Sequence, residues 1–171
     1  MSTIKEEYLI SGPIRERIDT AQRLYDMCGK SLAEDPVLNS LRERLETKLA
    51  ATKQLMQDFG VIEACRFCEE EDGGSCCGTG IENKYEPVIL LTNLLLGGAL
   101  PRNHRFADSC YFLGDAGCVL KVRHVLCVNY LCTKIRTMLM PEELKILQNV
   151  VGEEIDTAFL LHEQIRKLIR S

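Results

Sequence analysis

Several things are missing from this sequence, and each absence removes a class of function. No region is strongly basic and the net charge is −4, so the charge balance offers no surface for a nucleic acid. The first residues, MSTIKEEYLI, lack the basic-then-apolar order of a secretory leader. The most apolar run, Pro87 to Leu100, falls short of the roughly 20 residues that a bilayer-spanning helix needs. No membrane role is expected, and the expected compartment is the cytoplasm, where thiols stay reduced. A Ser–His–carboxylate set and an HExxH motif are both absent, and the glycine-rich GGSCCGTG (73–80) lacks the lysine that should follow in a phosphate loop. There are no internal repeats and no low-complexity linker.

What the chain does have is cysteine: nine in 171 residues. Cys28 stands alone in an N-terminal helical pattern, and the other eight fall between Cys65 and Cys132. A disulfide framework would need an oxidising compartment and would leave one cysteine over. Metal ligation is the better reading.

The rest of the chain reads as helix. Pro13 opens a stretch with apolar groups at Ile14, Ile18, Ala21, Leu24 and Cys28, and Gly29 then fits a helix stop. Cys28 completes that stripe as a small buried hydrophobe. Asp35-Pro36 marks a second start, cap then first helical residue, and Leu38, Leu41, Leu45, Leu49, Thr52, Leu55 and Phe59 form one face up to Gly60. From Pro141 to Arg170 the 3.6-residue period persists through Leu144, Leu147, Val151, Ile155, Ala158, Leu161, Ile165 and Leu168, with Gly152 as a weak point. Shorter apolar helices are expected at about 86–97 and 127–139, and YFL with CVLKV suggests a brief hairpin. The expected fold class is mainly α: long amphipathic helices packed around a cysteine-rich, metal-binding irregular insert. One domain is expected over 1–171, with a helical arm (1–64), the cysteine cluster (65–132) and a C-terminal helical arm (133–171). Glu69 to Lys84 has hardly an apolar side chain, so a bound metal is the expected source of its order.

The candidate ligands are Cys65, Cys68, Cys76, Cys77, Cys110, Cys118, Cys127 and Cys132. Thiolates bind soft or borderline metals, and four of them close a zinc site or hold an iron–sulfur cluster. Cys65 and Cys68 have the C-x2-C spacing that brings two sulfurs from one turn to one centre. Successive side chains on an extended backbone point apart, so Cys76 and Cys77 share a cluster through a bent loop, serve different centres, or supply one ligand and a packed bystander. On one continuous helix Cys127 and Cys132 would lie roughly 140° apart, so they share a centre only if the helix begins after Cys127; otherwise Cys132 faces the core beside Val128 and Leu131, and Cys127 is the safer ligand. A zinc ribbon would show two C-x2-C knuckles and only one is present, and the bacterial ferredoxin run is absent. The glycine-wrapped pair suits a cluster slightly better, which makes iron–sulfur the preferred cofactor and zinc the alternative. His104 lies near Cys110 and is read as an exposed or hydrogen-bonded loop residue, while His124 and His162 are read as structural. The acidic run Glu69 to Asp72 should turn away from an anionic centre, and Arg66, Lys121 and Arg123 are candidate counter-charges, though for each an ordinary surface charge is the simpler explanation.

In this order the residues resemble the YkgJ-type cysteine-cluster family: Cys65-x2-Cys68, the pair Cys76-Cys77, Cys110 with Phe112-Leu113, Gly117-Cys118, Arg123, then Cys127, Tyr130 and Cys132. The spacing departs from the family between the first two motifs, where EEEDGGS intervenes, and after Arg123, where His124 stands in place of proline. The resemblance implies zinc or iron chelation, and, since the same cysteine domain occurs in flagellin lysine N-methylases, it adds a protein-modifying enzyme to the alternatives. The expected function is a metal-binding protein with a redox, sensing or accessory role; the alternatives are a zinc-stapled helical interaction module and that methylase-like enzyme. The amphipathic arms are also able to pair with a second copy, as a homodimer, or with another protein partner.

Overall fold

A computed structural model describes residues 12–71 and 76–170. Its elements, in chain order, are α1 (Ile14–Glu34), α2 (Pro36–Asp58), α3 (Val61–Glu70), a 3-10 turn (Ile81–Lys84), α4 (Pro87–Leu95), a hairpin of β1 (Leu113–Gly114) and β2 (Gly117–Cys118), α5 (Val125–Asn129), α6 (Thr133–Met138) and α7 (Pro141–Arg170). The chain is mainly helical.

The local chemistry of the long helices is that of their sequence. Asp35 accepts the Leu38 N–H at 2.7 Å and Pro36, which has no N–H to orphan, takes the first helical position. Gly60 adopts the left-handed conformation (φ 68°) that ends α2, a conformation glycine reaches without steric cost. α2 and α7 pack against each other along their length and run antiparallel: Lys48 reaches Glu153 at 2.6 Å, and Gln164 reaches Asp35 at 3.4 Å.

Two hydrophobic clusters result. The first joins Ile18, Ala21 and Leu24 of α1, all of α4's apolar residues, Phe112, Leu120 and Val122 around the hairpin, and Leu161 and Ile165 of α7. The second joins Met56, Val61, Val128, Ile135, Leu139, Leu147 and Val151. Each fully buried Leu or Ile contributes about 1.5–3 kcal/mol relative to leaving it in water. α4 is buried on every side, and its two polar residues are satisfied internally: Thr92 donates to the Val88 carbonyl at 2.8 Å, and Asn93 donates to Ile89 and Val122 while accepting the Val122 N–H at 3.0 Å. No helix among the described residues is long and apolar enough to cross a membrane.

Four expectations need correction. Gly29 does not stop α1, which continues to Glu34; the Tyr25 ring lies over it, 3.0 Å from where a Cβ would stand, so Gly29 serves close packing within the helix. The chain restarts as α3 directly after Gly60, which puts Cys65 and Cys68 on a helix and not in an irregular segment. The single helix expected at 127–139 is two, α5 and α6, separated at Tyr130–Cys132 by extended backbone. Glu82 is buried and accepts the Gly80 N–H at 2.9 Å, and Arg17 donates to the Asn83 and Tyr85 carbonyls, so polar bonds order residues 80–85. Asp72 to Ser75, which begin the stretch before the cysteine pair, lie outside the described residues.

Candidate metal centre

Six separate segments carry the eight cysteines into one neighbourhood. On α3, Cys65 and Cys68 are three residues apart and share a face. The loop after α3 is tied to the segment before the hairpin: the Cys110 N–H donates to the Cys77 carbonyl at 2.6 Å, and Gly78 pairs with Ser109 in an isolated antiparallel bridge. Within the hairpin Cys118 stands opposite Leu113, with Gly117 at φ 99° making the turn. Asn93 of α4 then grips both backbone groups of Val122, which sets the course of Lys121–His124 into α5 and Cys127. Cys132 occupies the capping position of α6.

The backbone amides of Phe112 and Leu120 oppose the upward push of burial on the Cys110 and Cys118 thiols. Tyr85, 1% exposed, accepts the His124 N–H at 3.0 Å through its hydroxyl oxygen and donates its proton to the Cys127 sulfur at 3.7 Å. Its ring meets Phe112 edge-on at 4.9 Å, so the hydroxyl is held from both ends.

The thiols also sense one another. Burial pushes Cys65 up, and charges at Cys132, Cys77 and Cys68 would push it further, with Arg123 opposing. Cys76 is raised by its hydrogen bond to Cys77, then by burial. Cys110 is pushed up to about 12, chiefly by burial and also by Glu82, Cys118 and Cys77. Cys118 is pushed up to about 11 by burial, with Cys77 and Cys127 adding to it and Arg123 opposing. Burial also raises Cys127, again with Cys77 nearby and Arg123 opposing. Cys77 is thus a neighbour of Cys65, Cys76, Cys110, Cys118 and Cys127. Among the described residues, however, no three Cys, His, Asp or Glu side chains stand in a closed arrangement around one point. The sulfurs are gathered but not converged. A cation that collected them would have to displace their protons.

The neighbours divide sharply by role. Arg123, half-buried, faces Cys65, Cys118 and Cys127, and also bears on the buried Glu154 of α7, whose carboxyl burial raises. Arg66 is paired with Glu63, and Lys121 donates to the Leu96 carbonyl at 2.6 Å. The His104 ring nitrogen lies 2.7 Å from the Ser109 carbonyl, and His124 caps α5 by accepting the Leu126 N–H. Of the acidic run, Glu70 and Glu71 are exposed, but Glu69 accepts the Ser109 hydroxyl at 3.0 Å and so braces the loop beside Cys110. Cys28 stands apart, half-buried on the first cluster and donating to the Leu24 carbonyl at 2.9 Å.

Three supporting residues went unread in the sequence. Asn93 carried a signal, a lone amide in the run PVILLTNLLL, where a buried polar group must find partners. Tyr85 carried none, since its partners Cys127 and His124 are distant in sequence, and Glu82 sat in a polar stretch where nothing marked it as buried. No family model, curated protein or solved structure matches the chain.

Proposed function

We propose that this chain is a metal-binding cysteine-cluster protein that holds an iron–sulfur cluster through thiolates of residues 65–132 and serves a redox, sensing or accessory role. One observation carries the reading: all eight cysteines of that segment belong to a single chain of neighbouring thiols, while Cys28, the only other cysteine, is bonded into its own helix. Packing alone would not gather sulfurs from α3, two loops, a hairpin, α5 and the cap of α6. The donor set is all soft sulfur with a guanidinium beside it, which suits a thiolate-bound anionic centre. The hydrogen bond from Tyr85 to the Cys127 sulfur is of the kind that sets cluster potentials. The order of cysteine motifs, which resembles the YkgJ-type family, supports the same reading. When bound, the cluster supplies one-electron chemistry; the chain's own part is to hold the sulfurs, shield Cys110 and Cys118 from water and offset charge with Arg123.

The test is elemental analysis and a visible spectrum of the full chain purified without oxygen. Iron with acid-labile sulfide and a brown colour are expected. Cys65→Ser and Cys118→Ser should each lower the metal content, and Cys28→Ser should not. A colourless protein with stoichiometric zinc would replace the cluster by a zinc staple, and a protein with neither metal would end the proposal.

A further inference from the structure

The eight thiols are not equivalent: packing separates them, and hydrogen bonding and exposure mark members of each group. Cys110 belongs to the first hydrophobic cluster and Cys77, Cys118 and Cys127 pack against it, whereas Cys132 packs against the second, as do Val61 and Ala64 of the helix that carries Cys65 and Cys68. Cys77 and Cys110 are joined through the backbone, and the Cys127 sulfur receives the Tyr85 hydroxyl. Cys65 and Cys76 are exposed and Cys110 is buried.

We propose that these thiols form two four-sulfur centres side by side, an inner one of Cys77, Cys110, Cys118 and Cys127 and an outer one of Cys65, Cys68, Cys76 and Cys132. The division rests on the metal-binding reading above and adds the number of centres and their ligands. It also gives the adjacent cysteines distinct tasks. Cys77 packs against the first cluster and is bonded through its backbone to Cys110, which assigns it to the inner set, and the exposed Cys76 is left to the outer one. Their mutual hydrogen bond marks where the two sets meet. Arg123 stands at the same border, since it bears on Cys65 of the outer set and on Cys118 and Cys127 of the inner set.

Zinc is the probe, because it takes four ligands in closed thiolate sites and needs no inorganic sulfide. Reduced, metal-free full-length chain is titrated with Zn(II) without oxygen, desalted and assayed for bound zinc, and a chelator then strips the metal while its release is followed. Two equivalents are expected, leaving in two phases, with the exposed outer centre first. Cys76→Ala should retain one equivalent and lose the fast phase; Cys77→Ala should retain one and lose the slow phase. Cys65→Ala and Cys118→Ala repeat the contrast at sites distant from the loop, and far-UV circular dichroism verifies that α2 and α7 persist in each variant. A single equivalent that substitution on either side abolishes would overturn the division while leaving metal binding intact. A wild-type chain that binds neither zinc nor iron would overturn the metal reading itself.

Discussion

The paired helices α2 and α7 and the cysteine region between residues 76 and 132 are held by different means. Along α2 and α7 one kind of apolar contact recurs down the helices: Leu38, Leu45 and Thr52 on one side, Leu147, Val151, Leu161 and Ile165 on the other, all buried. In the cysteine region α4, Phe112, Leu120 and Val122 join the hydrophobic core, and polar bonds of fixed direction are added to it: Cys110 to Cys77, Gly78 to Ser109, Asn93 to Val122 twice and Tyr85 to His124. A repeated apolar seam gives cooperative stability; directional bonds fix the course of the segments that carry the cysteines.

Three measurements would break or sharpen that contrast. The largest effect is expected from Leu161→Ala, which empties a fully buried site in the seam (0% exposed). It should cost about 2–5 kcal/mol in urea unfolding. A loss below 1 kcal/mol would show that the seam does not carry the fold.

Next is pH. The His162 imidazole on α7 is held down to about 4, first by burial and then by Arg166 and His124, from an ordinary value of 6.5. The unfolded chain therefore takes up this proton before the native one does. The associated stability is complete above pH 6.5 and is lost as pH falls toward 4. The loss is on the order of 3 kcal/mol at most. Unfolding of His162→Gln, compared with wild type across this window, should show a shallower decline at low pH. Equal slopes would remove His162 as the cause.

The smallest effect on global stability is expected from Asn93→Ala. It leaves the buried N–H and carbonyl of Val122 without their side-chain partner, at about 1–3 kcal/mol. Its local effect should be larger: amide hydrogen exchange should accelerate at Leu120–Arg123 and stay unchanged along α2 and α7. Uniform acceleration would mean the two regions are not separately held.

The same contrast explains what could be read in advance. The stripes of α2 and α7, the Asp35 cap and Pro36 are visible in the sequence because each helix repeats its signal over several turns or states it within two residues. The α4 segment was visible as an unbroken apolar run. Gly29 misled because its usual meaning at a helix end was overridden by the Tyr25 ring packed across it. α3 was hidden by its cysteines, although Gly60 followed by Val61 and Ala64 is a restart with helical spacing. The split between α5 and α6 follows no local breaker; Tyr130 to Cys132 contain neither glycine nor proline. At the site, the eight thiols were legible as residues and Asn93 as a lone amide in need of partners, whereas Tyr85 was not, since its role depends on Cys127, 42 residues away.

Sequence by itself determined that long helices would bury periodic faces, that the chain would be mainly helical and that eight thiols would fall in one segment. Those outcomes depend on spacing along the chain, which local geometry translates directly. Tertiary structure alone decided which sulfur lies beside which, which of them meets the Tyr85 hydroxyl, and that Arg123 rather than Arg66 or Lys121 faces the sulfurs. Such choices depend on where separate segments cross, and a crossing is set by the packing of every element at once.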